Sequence, residues 1–203
     1  MTLVLTQISK LGITMAADTA VLITGRMPNG MCKQRVLTGV TKLQPISKLH
    51  SGISVWGEGR IGGQDSDIWL DQFIRRRESE YDSLDTFATL LQEELRTIIP
   101  DIDAERNPHG NIGFHLAGFT ESGRRRVPTF YHIHNGKSQV LEARGVTIDP
   151  RKINANHDLP PQEVVRFLDQ GRTCLIRNGD YALYLQIFEH LRQLLEDLAT
   201  RTR

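Results

Sequence analysis

Apolar and polar positions alternate at the start of the chain. Residues 2–8 and 11–17 are short apolar and β-branched runs on either side of Ser9-Lys10-Leu11-Gly12, and this predicts a hairpin that opens at residue 2. Residues 24–41 are polar and contain Pro28-Asn29-Gly30, which predicts a long loop. Lys42-Leu43-Gln44-Pro45-Ile46-Ser47 and Gly52-Ile53-Ser54-Val55-Trp56 read as a second strand pair, with Pro45 marking an edge or a strand end. The period then changes. From Gly62 to Arg77 the apolar residues Ile68, Trp69, Phe73 and Ile74 follow helical spacing. From Ser83 to Ile99 the stripe Leu84, Phe87, Leu91, Leu95 and Ile98 is clearer, with Ser83 as N-cap and Pro100 as the stop.

Strands return with Ile112 to Phe119, whose expected hairpin partner is Pro128 to Ile133. Residues 138–143 are a candidate third strand. A short helix is expected over 161–169 after Pro160-Pro161, and a long one over about 180–199 carrying Tyr184, Ile187, Phe188, Leu191, Leu195 and Leu198. Strands, two helices, strands and a final helix form segregated runs. That order points to an α+β protein of packed layers, with residues 1–203 as a single domain.

Composition narrows the classes. Hydrophobic residues make up 39% and charged residues 24% of 203, as in a globular protein. The net charge of +1 gives no electrostatic reason to expect a nucleic-acid or membrane partner. No apolar run reaches the roughly 18–20 residues of a membrane span, and the N-terminus has neither the basic region nor the cleavage site of a signal peptide. The expected location is the cytoplasm. Cys32 and Cys174 fit no zinc or redox spacing, and Cys174 reads as a buried apolar residue.

The chemistry is concentrated at the N-terminus. Thr2 follows the initiator Met and opens the first strand. A mature N-terminal Thr carries a hydroxyl nucleophile and, in its own α-amine, a base with a reference pKa of about 7.7–8.

Thr2, Gly12-Ile13-Thr14-Met15-Ala16-Ala17-Asp18-Thr19, Thr41-Lys42-Leu43-Gln44-Pro45-Ile46 and Ile53-Ser54-Val55-Trp56-Gly57 together resemble the proteasome β-subunit superfamily, which includes HslV and the bacterial proteasome homologues. The matching family segments are an N-terminal Thr, a GvvlAAD second strand, a KKLfqI third strand and a fourth strand ending in Ala-Gly. The resemblance runs over about residues 2–136, and Gly179-Asp180-Tyr181-Ala182 is similar to the start of the family's third helix. It implies a four-layer αββα sandwich of N-terminal-nucleophile hydrolase type, with a shortened or rebuilt C-terminal part.

The resemblance also implies roles. Thr2 is the expected nucleophile and, through its amine, the general base. Lys42 is the ammonium beside the hydroxyl, with Lys33 as the rival lysine, because residues 24–41 are longer than the family's usual connection. Asp18 orients Lys42, the Gly57 N–H faces the oxyanion, and Ser138 is the candidate supporting hydroxyl. Substrate backbone is expected near Leu22 and Gly59, with Val55 at the first specificity pocket.

The implied reaction is peptide-bond hydrolysis after Met1 removal, with no metal or organic cofactor. The implied assembly is a homo-oligomeric double ring that acts on peptides or unfolded proteins, and an ATP-dependent unfoldase is the further partner class. The helix pair 62–99 is the expected contact between rings. Two rival readings are a weakly active or inactive ring-forming scaffold and an amidase for a small amide.

Other groups read as structural. His132 and His134 share one strand face, and with His115 as the one obvious further ligand they read as an ordinary hairpin surface in preference to a metal site; the two Arg triplets Arg75-Arg76-Arg77 and Arg124-Arg125-Arg126 are expected on solvated or subunit-contact faces. The Gly-rich run from Gly57 to Gly63 reads as a strand-to-helix turn, since it lacks the Gly-Lys-Ser/Thr end of a phosphate loop.

Overall fold

A computed structural model describes residues 3–26, 32–57, 59–99, 112–123, 125–135, 154–156, 161–179, 185–186, 189–190 and 193. The first strands are β1 (Leu3–Ser9) and β2 (Gly12–Ala17), an antiparallel hairpin closed by Lys10 and Leu11 with Ser9 opposite Gly12. On β1 the residues Val4, Thr6 and Ile8 are buried while Gln7 is exposed, so one face of the strand looks inward.

The next pair, β3 (Val21–Arg26) and β4 (Cys32–Leu37), corrects the expected long loop. This hairpin forms a separate two-stranded unit and joins neither larger sheet. Its apolar residues Val21, Leu22, Ile23, Val36 and Leu37 stand in runs and do not alternate with polar ones, so the pattern by which a half-buried strand is recognised is missing.

Then come β5 (Leu43–Ile46), β6 (Ser51–Gly57) and a tight turn between β7 (Arg60–Ile61) and β8 (Gln64–Asp65). Pro45 lies in β5, which is the edge of its sheet. Helix α1 (Ser66–Arg76) therefore starts later than Gly62, because Gly62 and Gly63 take positive φ in the β7–β8 turn. Helix α2 (Leu84–Ile98) follows the expected bounds, and Ser83 and Thr86 form a reciprocal capping box.

Strands β9 (Ile112–Ser122) and β10 (Arg125–His134) form the expected hairpin at greater length. The neighbour of β10 is β11 (Asn154–Asn156), and the candidate strand at 138–143 lies outside the described residues. Helix α3 (Pro161–Asp169) matches its expected span. Strand β12 (Cys174–Gly179) has no counterpart in the sequence reading and pairs antiparallel with β1. Of the expected long helix, the described residues 185, 186, 189, 190 and 193 are helical.

Two antiparallel sheets result, ordered β12-β1-β2 and β11-β10-β9-β6-β5. They face each other through contacts of β1, β2 and β12 with β5, β6 and β9. Alternation divides the larger sheet cleanly. Ile53, Val55, Ile112, Phe114, Leu116 and Ile133 pack against Trp69, Leu70 and Phe73 of α1 and Phe87, Leu91 and Leu95 of α2. The opposite face meets the smaller sheet, where Ile8, Ala117, Phe130 and Cys174 pack with Val164 and Leu168 of α3. The chain is thus a mixed α+β protein with antiparallel sheets.

The Arg75–Arg77 run ties helices together. Arg75 pairs with Asp71 within α1, and Arg76 and Arg77 both reach Glu94 of α2. Among the described residues no helix is long and apolar enough to cross a membrane.

Candidate functional site

Asp18 directly follows β2, and its backbone N–H donates to the Leu3 carbonyl at 3.0 Å. The bond continues the β1–β2 ladder by one step. The Asp18 carboxylate then turns back on the chain. Its Oδ1 accepts the Leu3 N–H across the strand pair at 2.7 Å, and its Oδ2 accepts the Ala20 N–H at 3.0 Å, the local bonding that a short acidic side chain offers at a turn.

Lys42 directly precedes β5, and its carbonyl accepts the Val55 N–H at 2.9 Å, which extends the β5–β6 ladder in the same way. Its Nζ lies 3.0 and 3.1 Å from the two Asp18 oxygens and also donates to the Ala20 carbonyl. The Lys42 side chain is only 4% exposed. An ammonium so buried needs a charged partner to offset its lost hydration, and Asp18 supplies it. The pair joins the end of one sheet to the start of an edge strand in the other.

Thr2 and Ser138 lie outside the described residues. Covalent order alone puts Thr2 one peptide bond before Leu3, whose N–H rests on Asp18. Of the two candidate lysines, Lys42 has its ammonium on Asp18. Lys33 stands opposite Gly25 in the β3–β4 hairpin.

Gly57 ends β6, is exposed, and has φ of +89°, a conformation that an L side chain resists. Leu22 is the second residue of β3 and stands opposite Val36. Gly59 lies close to that strand, since a Cβ on it would be 3.3 Å from Val21 Cγ1. Its carbonyl accepts the Ser66 N–H at 2.9 Å. Val55 is 2% exposed and packs in the helix-side core, so it backs the site from beneath. The structure therefore gathers Asp18, Lys42 and the backbone next to Val55, and sets Gly59 beside the start of β3.

A second polar group was legible only in part, since His132, His134 and His115 stand out in the sequence but their link to Thr6 and Asn178 does not. His115 of β9 has Nδ1 3.2 Å from Thr6 Oγ1 and Nε2 2.6 Å from Asn178 Oδ1, linking both β1 and β12 to the larger sheet. His132 and His134 are 4% and 1% exposed, which corrects the expected hairpin surface. They stack with ring centroids 4.0 Å apart, and His132 meets His115 edge-on at 5.2 Å. Their strand face looks into the space between the sheets, a fact that depends on which sheet covers it. The local signal was the i, i+2 spacing of His132 and His134, which puts both rings on one strand face.

Among the described residues no group of three His, Cys, Asp or Glu side chains is arranged to hold a metal ion. Cys174 is buried as expected, and burial pushes its thiol pKa up while the nearby Arg172 opposes the shift.

Comparison with protein-family models, with curated proteins and with solved structures gives no match to this chain.

Proposed function

We propose that the protein is a threonine-type endopeptidase subunit of a self-compartmentalising ring protease, an N-terminal-nucleophile hydrolase in which Thr2 acts after Met1 is removed. One observation carries the reading. A single carboxylate, Asp18, holds both the nearly buried Lys42 ammonium and the amide of Leu3, the residue bonded to Thr2. Two stacked antiparallel sheets with α1 and α2 on the outer face of the larger one agree with the four-layer sandwich of that class.

In this reading Thr2 Oγ attacks the peptide carbonyl carbon while its own α-amine takes the hydroxyl proton. The Lys42 ammonium favours the developing alkoxide, and Asp18 keeps that ammonium aimed. The Gly57 N–H stabilises the oxyanion, a contribution typically worth about 10²–10³ in rate. The protonated amine gives its proton to the leaving nitrogen as the C–N bond breaks, which leaves an ester on Thr2. Water, deprotonated by the same amine, then hydrolyses the ester. The substrate lies as an extended strand between Leu22 and Gly59. Rings of this chain enclose the sites in the cytoplasm, and an ATP-dependent unfoldase delivers unfolded protein.

The test is the intact mass of the purified chain before and after exposure to an epoxyketone that reacts with N-terminal Thr. The expected result is a mass lacking Met1, with one adduct per chain that is absent from Thr2→Ala. Retained Met1 with no adduct would remove the base from the mechanism and leave the scaffold reading.

A further inference from the structure

We propose that Asp67, in the first turn of α1, and Gln44 are positioning residues for Lys42, so that α1 sets the geometry of the site. This rests on the reading of Lys42 as part of the catalytic machinery. Lys42 ends an irregular segment, residues 38–42, between β4 and β5. A side chain in such a segment keeps its aim only if the backbone around it is held.

The Lys42 N–H donates to the Val40 carbonyl and the Val40 N–H to the Thr19 carbonyl, both at 3.2 Å. The next support comes from side chains. The Thr41 N–H donates to Asp67 Oδ2 at 3.2 Å. Gln44 Nε2 donates to the Asp67 carbonyl at 2.7 Å and to the Thr41 carbonyl at 3.4 Å. Both backbone groups of Thr41 are thereby tied to α1 or to the buried Gln44. Ser66, the residue before Asp67, donates its N–H to the Gly59 carbonyl. Successive residues of one helical turn thus hold the Lys42 segment and the Gly59 segment at a fixed spacing. Trp69, Leu70 and Phe73 seat that helix in the core.

The Thr41–Asp67 bond is exposed, so water could satisfy the same amide and burial does not compel the bond. The fold should survive its loss. Asp67 also supplies a negative charge in the first turn of α1, which alone favours a helix. Asp67→Asn separates the two roles, because it removes the charge and keeps an oxygen that can accept the Thr41 N–H.

The experiment is pulse acetylation of the folded chain, read by mass spectrometry at Lys42 relative to the exposed Lys10. It is paired with kcat and KM on a fluorogenic peptide. Asp67→Ala should raise Lys42 acetylation about threefold to tenfold, and lower kcat by a similar factor at unchanged KM, the scale of one lost hydrogen bond. Asp67→Asn should behave as wild type. Gln44→Leu should follow Asp67→Ala; if it unfolds, the Asp67 variants decide.

Unchanged Lys42 acetylation in Asp67→Ala, or equal effects of the Ala and Asn variants, would overturn the proposal. If acetylation responds as expected while even the wild-type chain cleaves no peptide, the positioning stands and the protease reading falls.

Discussion

Lys42 Nζ sits almost midway between the two carboxylate oxygens of Asp18, 3.0 Å from one and 3.1 Å from the other. The partners are not equivalent. Asp18 also receives the amides of Leu3 and Ala20, so its loss undoes the backbone bonding as well as the charge pair. Removing one member of a buried pair typically costs about 3–5 kcal/mol. Asp18→Ala should fall in that range by urea unfolding, and Lys42→Met should cost less, because the carboxylate keeps its two amides. Neither variant should form the epoxyketone adduct. A greater stability loss for Lys42→Met would show that the ammonium, not the carboxylate, organises this corner.

His115 joins the two sheets through both ring nitrogens. With the Asn178 oxygen as acceptor, Nε2 donates to it, and Nδ1 is in hydrogen-bond contact with the Thr6 hydroxyl. His115→Phe keeps a ring in the layer and leaves the Thr6 hydroxyl and the Asn178 amide without that partner. Each such group costs about 1–3 kcal/mol when buried. Thr6→Val should then destabilise the His115→Phe background less than the wild type. A double-mutant cycle by denaturant titration should give a coupling of about 0.5–3 kcal/mol, and additivity would deny the link.

Tyr131 of β10 donates its hydroxyl to the Asp85 carboxylate on α2. Burial raises the pKa of the phenol well above its ordinary value, and the hydrogen bond and charge of Asp85 raise it further. Burial raises that of Tyr81 as well. A phenol that ionises less readily in the folded chain stabilises it fully below the unfolded value of about 10 and loses that contribution as pH rises beyond it. The urea midpoint should therefore fall above about pH 10. Tyr131→Phe should flatten this fall and leave a remainder to which Tyr81 and the raised Cys174 thiol contribute. An equal slope in both proteins would exclude Tyr131 as a source.

Legibility followed local information. The capping box at Ser83 and the apolar stripe of α2 are written within a few consecutive residues, so the helix was readable to within a residue or two. The hairpins β1–β2 and β9–β10 were equally plain, because tight turns join strands that alternate. Strand β12 was not readable, since Cys174 to Gly179 becomes a strand by pairing with β1, more than 160 residues away in the chain. The β3–β4 hairpin was missed because its apolar residues stand in runs at one end and do not alternate with polar ones.

The sequence by itself determined the α+β class, restricted Pro45 to an edge or a strand end, and placed Thr2 and Asp18 near the N-terminus. It also held two candidate lysines that no local pattern could rank. Only the tertiary structure brought Lys42 onto Asp18, by running the β1–β2 and β5–β6 ladders to a common end. It likewise turned His132 and His134 inward, because a strand's alternation names two faces and only the packing of the second sheet decides which is covered. Such contacts join residues far apart in sequence, and their energy comes from burial and pairing that exist only once both sheets have formed.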